Sequence, residues 1–425
     1  MPRVVFDVSA RVHASFTEAA GSVHLACLTS FHVTQTARHR RPGTLQLKGP
    51  ELKLSTTTRA AAVSSALAAT LALAACGASN EEPSTNAGTA TSGGSSAPEL
   101  SGTLVGAGSS AQQAAMQGWQ AGFSTMQPDV TVNYDPVGSG GGREQFLAGG
   151  TDFAGSDAAL SDDELTTATE RCGDAGVFEL PNYISAIAVV YNLEGVDDLN
   201  LSPATLAGIF AGTITTWNDP LIAADNPDAT LPSTAINPVH RADKSGTTKN
   251  FTDYLDQAAG DVWTSGAIEE WPTAGGEAAN QTNGMVSAVG AGSGSIGYAD
   301  ESQAGDLSIA NIKVGEEFVA PTPEAAAAVV ANSETVSGRG EYDLAVEVNR
   351  TTTSADEYPI VLVSYHIGCI QYEDQAKADL VKGFMGYVIS EDGQEAAAQQ
   401  AGSSPISDDA RDEAQTAVDA ITVAS

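Results

Sequence analysis

The sequence is poor in basic residues and in the side chains that usually carry catalysis or bind metals. Its 425 residues include 19 lysines and arginines against 53 aspartates and glutamates, and after residue 75 the counts fall to 11 and 50. Such an acidic chain disfavours nucleic acid or an anionic membrane surface as a partner. Only His240 and His366 follow residue 50, without metal-ligand spacing around them. The sequence therefore predicts no metal and no cofactor.

The scarcity of nucleophile signatures also bears on catalysis. Acyl transfer by a serine needs a base and an orienting group, and no G-x-S-x-G elbow is present. We interpret both late histidines as structural or surface residues. Catalysis by an exported enzyme, either phosphatase-like or dinucleotide-dependent, stays open as the alternative to a binding function.

The basic residues are concentrated at the N-terminus. The stretch "KLSTTTRAAAVSSALAATLALAAC" has a basic start, an apolar run and small residues before Cys76, which is typical of a secretory signal. Its ending resembles the bacterial lipobox, which predicts lipidation of Cys76. The alternative is a short transmembrane helix, although about 17 apolar or small residues lie at the bottom of the spanning range. We expect residues 1–50 to be a non-native extension from too early a start site and 51–75 to be the signal peptide.

The segment 76–100 is rich in glycine, serine, threonine, alanine and proline. It cannot bury a core, so we expect a flexible tether behind the lipid anchor. The folded part would then lie at the extracytoplasmic face of a bacterial cell membrane. Cys172 and Cys369 remain after Cys76, and pairing is the default in an oxidising compartment. Two free thiols are the alternative.

The folded part begins with a β-α-β-α-β pattern. We predict strand 103–106, helix 111–126, strand 130–135, helix 142–148 and a short strand in "TDFAGSD". Two long apolar runs, "GVFELPNYISAIAVVYN" interrupted by Pro181 and "YPIVLVSYHIGC", read as extended. In such α/β layers, ligands bind at the carboxyl ends of strands, facing helix N-termini.

Three loops place hydroxyls and glycines where a strand gives way to a helix. The first, Gly106–Ala111, also fits the dinucleotide fingerprint G-x-G-x-x-A, with Asp135 where a ribose-binding acid would stand, but that match alone is weak. Helix N-termini offer free N–H groups and a partial positive charge. Three such loops, one of them carrying Arg241, favour an anion site over a polar loop without ligand.

The segments "GAGSSA", "GSGGGREQFLAGGTDFAGSDA", "LSDDEL" and "RADKSGTTKNFTDYL" resemble, in order and spacing, those of the phosphate-binding proteins (PstS type) that serve ABC importers. The segments "ELPNYISAIAVVYN", "TWNDPLI", "GSIGYAD" and "AGSSPI" are also similar to that family. The resemblance spans about residues 101–408. It implies a type II periplasmic-binding-protein fold, in which two α/β lobes are joined by a two-stranded hinge with the ligand in the cleft.

The resemblance also implies a ligand set and a division of the chain. The residues implied to bind phosphate are Ser110, Ala111, Ser139, Asp157, Arg241, Ser245, Gly246 and Thr247, with Asp243 supporting Arg241. Lobe one would comprise 101–183 and 358–425, and lobe two 184–357. Ser110–Ala111 replaces the Thr-Phe of many relatives, which preserves the hydroxyl and the N–H. Lys244 replaces a small residue and would be either an extra charge at the rim of the site or a solvated bystander, of which we expect the bystander.

The implied function is capture of inorganic phosphate and its delivery to an ABC permease and ATPase, by a monomer and without catalysis. Another tetrahedral oxyanion is the alternative ligand. We further predict a Cys172–Cys369 disulfide in lobe one. If the two long runs cross the hinge side by side, Cys172 lies nine residues before Pro181 and Cys369 ten after Pro359, at similar depth.

Overall fold

The structure is a computed structural model that describes residues 99–272 and 275–424. The predicted extension, signal peptide, lipidated Cys76 and nearly all of the tether lie outside the described residues. Among the helices that the structure does describe, none is long and apolar enough to span a membrane.

Strands and helices alternate in the first part of the described chain and follow one another less regularly after it. The strands are β1 (Gly102–Gly108), β2 (Val130–Asp135), β3 (Phe153–Ser156), β4 (Val177–Asn192), β5 (Asn200–Leu201), β6 (Asn237–Arg241), β7 (Glu277–Ala279), β8 (Ser295–Asp300), β9 (Ser308–Ile309), β10 (Asn311–Val314), β11 (Glu317–Val319), β12 (Glu334–Thr335), β13 (Val346–Glu347), β14 (Val361–Cys369), β15 (Gln371–Tyr372) and β16 (Thr422–Val423). The helices are α1 (Gln113–Met126), α2 (Ser139–Leu147), α3 (Asp162–Cys172), α4 (Pro203–Phe210), α5 (Pro220–Asp225), α6 (Gly246–Ala259), α7 (Gln281–Ala291), α8 (Pro323–Ala331), α9 (Gln375–Ile389), α10 (Glu391–Ala401) and α11 (Asp408–Ala420).

The main sheet has the strand order β2-β1-β3-β14-β4-β8-β6-β7, and β9 also pairs with β4. Strands β1, β2 and β3 are parallel to one another, as are β6, β7 and β8. We call these two groups of three strands the first half and the second half of the sheet. They are joined by β14 and β4, which run antiparallel to each other and to their outer neighbours.

The two long apolar runs form β4 and β14, which pair side by side as expected. Val177 lies opposite Cys369 and Ala186 opposite Val361. The expectation that Pro181 interrupts its run is wrong, because β4 is continuous from Val177 to Asn192. Pro181 lies opposite Tyr365, where the register shifts by a bulge. A proline, which has no N–H to donate, is tolerated in a sheet at such a point.

The predicted disulfide between Cys172 and Cys369 is present, with the two Cα atoms 5.2 Å apart. The offset argument behind it does not hold, because Pro181 faces Tyr365 rather than Pro359. Cys172 is also the last residue of a helix, α3, and does not lie on the strand. A 3₁₀ turn, Gly173–Ala175, brings the chain from α3 into β4, whose first residue pairs with Cys369.

Helix α2 begins at Ser139, three residues before the start predicted from its sequence. Three consecutive glycines lower helix propensity, which is why the pattern predicted a later start. Here tertiary packing decides. A Cβ at position 142 would collide with the backbone of Gly108. Glycine therefore lets α2 approach β1 closely, and the N-terminus of α2 faces the same sheet edge as the end of β1.

Candidate functional site

Asp157 follows β3 at the carboxyl edge of the first half and is 2% exposed. Its carboxylate accepts hydrogen bonds from Thr247 Oγ1 (2.9 Å) and Ser364 Oγ (2.9 Å). Burial raises the pKa of Asp157, while hydrogen bonds from Ser109, Ser364 and Thr247 and the charge of Arg241 oppose the rise. The structure therefore holds an acidic oxygen acceptor inside a ring of hydroxyl donors.

Ser139 and Gly246 also lie where Asp157, of the first half, contacts the start of α6, which follows the second half's strand β6. The Asp157 N–H donates to Ser139 Oγ (3.1 Å), and the Asn250 amide donates to the Asp157 carbonyl (2.6 Å). A Cβ on Gly246 would lie 2.8 Å from Ser139 Oγ and 2.9 Å from Asp157. Only glycine allows the start of α6 to approach α2 and β3 this closely.

The loop between β1 and α1 contributes Ser110 and Ala111. Ser110 Oγ lies 3.0 Å from Thr282 Oγ1 and accepts the Thr282 N–H (3.0 Å) at the start of α7. The Ala111 N–H donates to Ser109 Oγ (3.1 Å). Gln303 donates its side-chain amide to the Ser110 and Ala111 carbonyls (3.0 and 2.8 Å), which fixes the loop.

Arg241, the last residue of β6, is 3% exposed. Its guanidinium donates to both carboxylate oxygens of Asp243, through Nε (2.8 Å) and Nη2. Burial alone would raise the pKa of Asp243, but hydrogen bonds and the charge of Arg241 lower it. The Gln281 N–H also donates to Asp243 (2.9 Å). The contact with Asp243 that was expected from the sequence is thus present.

Helix α6 begins directly after this loop. Ser245 is its N-cap, and its Oγ accepts the Thr248 N–H (3.2 Å). The first N–H groups of a helix have no intrahelical acceptor and carry a partial positive charge. The start of α6 therefore faces Asp157 and Ser139 with an arrangement that suits an anion.

The expectation that Lys244 is a solvated bystander is wrong. Its ammonium group lies 3.3 Å from Glu164 and 3.6 Å from Glu269, and its side chain is 33% exposed. The Lys244 stem packs on Gly140, and the Gly140 N–H donates to the Lys244 carbonyl (3.1 Å). Lys244 therefore belongs to an ion-pair cluster beside the predicted ligand residues.

The two late histidines are structural. His240 stacks on Trp271 with ring centroids 5.0 Å apart. His366 is fully buried among Trp119, Phe153 and Phe384. Within residues 99–272 and 275–424, no group of three or more His, Cys, Asp or Glu side chains could hold a metal ion.

Sequence patterns missed several residues of this region. Ser364, Thr282 and Asn250 reach the predicted ligand residues from 207, 172 and 93 positions away. Their local sequences carry no signal for such a role. Arg143 did carry one, since it is an arginine directly after three glycines in a chain that is poor in basic residues.

Comparisons with known proteins show the family to which this chain belongs. Residues 57–392 match the family model described as a PBP superfamily domain. The chain is 39% identical over 369 residues to phosphate-binding protein PstS 3 of Mycobacterium tuberculosis, covering 85% of this chain and 98% of the relative. It is 32% identical over 334 residues to phosphate-binding protein PstS of Xylella fastidiosa, covering 76% and 87%.

Solved structures share the fold at lower identity. A high-affinity periplasmic phosphate-binding protein (PfluDING) solved with phosphate matches with a TM-score of 0.61 and 21% identity, over 75% of this chain and 93% of that one. The phosphate-binding protein of Stenotrophomonas maltophilia matches with a TM-score of 0.57 and 20% identity, over 74% and 94%. The fold and the sequence relatives together place this chain in the PBP superfamily, as a member of the family of PstS phosphate-binding proteins.

Proposed function

We propose that the protein captures inorganic phosphate outside the cell membrane and delivers it to the permease of an ABC importer, without catalysis. The observation that carries this proposal is the buried carboxylate of Asp157 beside Thr247, Ser364 and the N-terminus of α6. A carboxylate in an anion site repels its ligand unless that ligand brings a proton to donate. Phosphate does so at neutral pH and sulfate does not.

The proposed ligand set contains hydroxyls, helix N–H groups and one guanidinium. Its members are Ser110, Ala111, Ser139, Asp157, Arg241, Ser245, Gly246 and Thr247. Several of these groups are hydrogen-bonded to one another in the structure, so binding would exchange those hydrogen bonds for bonds to phosphate oxygens. Charge-assisted hydrogen bonds stabilise by roughly 1.5–3 kcal/mol each. Most of that free energy offsets dehydration of the anion and ordering of the protein.

We further propose that phosphate is enclosed between two lobes, 101–183 with 358–425 and 184–357. The support for this division is that β4 and β14 are the antiparallel pair through which the two halves of the sheet join. A pair of strands can act as a hinge when a few residues at the ends of each strand absorb the change in backbone angles. The Thr247–Asp157 and Ser110–Thr282 contacts would then form on closure.

The proposed location is the extracytoplasmic face of the membrane, with lipidated Cys76 as the anchor and 76–100 as the tether. A tethered monomer could reach an embedded permease, while the ATPase subunit would supply the energy for transport. Two acyl groups or more would be needed for firm anchoring. Mass spectrometry of the exported protein should find an acylated cysteine at its N-terminus, and peptides from residues 1–50 should be missing.

Calorimetric titration with phosphate and with sulfate, at matched ionic strength, tests the ligand. We expect phosphate to bind and sulfate to bind far more weakly. Sulfate affinity equal to phosphate affinity would favour the alternative of another tetrahedral oxyanion. A parallel assay on a phosphomonoester should give no turnover above that of buffer, and turnover would favour the enzyme alternative.

A further inference from the structure

Four charged side chains form one cluster where the two halves of the sheet meet, beside the proposed phosphate site. Arg143 comes from α2 and Glu164 from α3. Lys244 precedes α6, and Glu269 lies in the segment after α6. Arg143 is 1% exposed, and the two glutamates are 15% and 13% exposed. The cluster is thus largely shielded from water, where charge interactions are stronger than at the surface.

Arg143 hydrogen-bonds to groups of both halves. Its Nε donates to Glu164 (3.1 Å) and its Nη1 to Ser156 (2.9 Å), both on its own side. Its Nη2 donates to both carboxylate oxygens of Glu269 (2.8 and 2.7 Å) on the other side. The planar guanidinium therefore holds groups of both halves at once, which a lysine could not do with the same geometry.

Both ends of this contact adjoin proposed ligand residues. Ser156 immediately precedes Asp157 in the sequence. The backbone carbonyl of Glu269 accepts the Ser245 N–H (3.1 Å). A change in the Arg143–Glu269 contact would therefore act on the positions of Asp157 and Ser245.

The four charges of the cluster also form two neutral pairs, one in each half. Arg143 with Glu164 is a neutral pair within one half, and Lys244 with Glu269 is a neutral pair within the other. Lys244 also pairs with Glu164 across the halves (3.3 Å), in addition to the Arg143–Glu269 bonds. Burial alone would raise the pKa of Glu164, but the charges of Arg143 and Lys244 lower it to about 2. Glu164 is thus ionised throughout the physiological pH range. Separation of the halves would leave no charge without a partner of opposite sign.

We propose that Arg143 and Glu269 form an ionic latch that holds the two lobes closed and positions the Ser245 loop for the anion. Arg143 and Glu269 are positioning residues, since neither belongs to the proposed ligand set. The latch has two arrangements of its charges, one with the cross-cleft bonds and one with two separate neutral pairs, so it can close and release. Its effect on phosphate rests on the proposed ligand, and its effect on closure rests only on the proposed division into two lobes.

The first test measures closure in the absence of phosphate. A fluorescent donor and acceptor are carried on encoded unnatural amino acids at Asp129 and Asp228, which are exposed and lie on opposite sides of the proposed hinge. Glu269→Gln keeps the shape of the side chain and removes its charge. We expect lower energy-transfer efficiency in Glu269→Gln than in wild type, because the open arrangement gains population.

Asp163→Asn is the control, because it removes one exposed carboxylate charge next to Glu164 on α3 and leaves the bonds between the halves in place. Its efficiency should stay near that of wild type, since both Arg143–Glu269 hydrogen bonds remain. If Glu269→Gln folds poorly by circular dichroism, Arg143→Lys takes its place, and it should lower the efficiency likewise. Equal efficiencies of wild type and the latch variant, or an equal fall in Asp163→Asn, overturn the latch.

The second test measures phosphate dissociation by stopped flow. Loss of one partner of a buried, hydrogen-bonded charge pair acts mainly on dissociation. We expect dissociation about tenfold faster in Glu269→Gln and a change below about threefold in Asp163→Asn. A wild type that binds no phosphate would refute the proposed function, while the energy-transfer comparison would still decide the latch.

Discussion

Asp157 and His366 are both buried titratable side chains, and they lie close together in the sheet, Asp157 directly after β3 and His366 on the neighbouring strand β14. Asp157 follows Ser156, which lies opposite Tyr365, and His366 is the next residue of β14. Hydroxyl groups surround Asp157, whereas aromatic rings surround His366, and neither of its ring nitrogens has a hydrogen-bond partner among the described residues. Burial raises the pKa of Asp157 and lowers the pKa of His366 to about 3.

The two surroundings suit different tasks. The polar region, which is Asp157 with Ser139, Thr247 and Ser364, holds hydrogen bonds that a ligand could replace. The aromatic region, which is His366 with its ring neighbours, stabilises by apolar burial and holds a neutral imidazole. We therefore expect substitutions in the polar region to alter phosphate affinity with little effect on the free energy of unfolding. Substitutions near the aromatic region should alter the free energy of unfolding with little effect on affinity.

Removal of the disulfide should give the largest effect, and on stability alone. Cys172 and Cys369 are 197 residues apart, so loss of this cross-link should lower the free energy of unfolding by up to about 5 kcal/mol. Urea unfolding of Cys172→Ser/Cys369→Ser against wild type measures this. Phosphate affinity should change less than about twofold at a temperature where the variant stays folded. A large loss of affinity would show that stability and binding are not independent in this protein.

Asp157→Asn should act on selectivity. An unpaired buried acceptor facing a fully charged anion is heavily penalised, and an amide removes that penalty because it can donate to sulfate. We expect the ratio of sulfate to phosphate dissociation constants to fall by about a thousandfold. Competition titrations measure it, with Asp129→Asn as a control that changes one exposed charge. If Asp157→Asn rejects sulfate as wild type does, Asp157 is not the filter.

Arg241→Lys should weaken phosphate binding by about a hundredfold. Lysine keeps the charge but lacks the planar fork that pairs with Asp243 and would match two phosphate oxygens. The free energy of unfolding should fall by no more than about 3 kcal/mol, since one hydrogen bond of this buried pair is lost while a charge opposite Asp243 remains. Calorimetry and urea unfolding on the same preparation compare the two quantities. Affinity equal to that of wild type would remove Arg241 from the ligand set.

Sequence patterns predicted the local parts of this arrangement and missed the distant ones. Arg241 and Asp243 are two residues apart, so their pairing could be inferred from one loop. Ser364 meets Asp157 across 207 residues, and Arg143 meets Glu269 across 126. Such contacts depend on how β14 and the segment after α6 pack, which periodicity and propensity do not encode.

The same difference between local and distant contacts applies to the strands and helices. The two apolar runs were predictable as extended segments from their composition, because continuous burial favours central strands. Their pairing followed from the two-stranded hinge that the family resemblance implies. The start of α2 was not predictable, because contact between Gly142 and Gly108 outweighs the low helix propensity of the glycines. Lys244 was misjudged for the same reason, since its partners Glu164 and Glu269 are distant in sequence.

His366 gives the smallest expected effect and the sharpest test of the aromatic region. Its folded pKa of about 3 lies below the ordinary value near 6.5, so between these values the unfolded chain binds a proton that the folded protein does not. The stability that depends on a neutral imidazole is therefore fully present above pH 6.5 and is lost as the pH falls toward 3. Between pH 7 and pH 5, this residue should cost wild type about 2 kcal/mol of unfolding free energy. His366→Phe keeps an aromatic ring against Trp119 and Phe153 but cannot titrate. Urea unfolding of both proteins should show the variant losing about 2 kcal/mol less than wild type between pH 7 and pH 5, and a constant difference between pH 7 and pH 8. Parallel pH profiles over the whole range would mean that His366 takes up its proton in the folded protein, and that this region is not as closed to charge as its packing indicates.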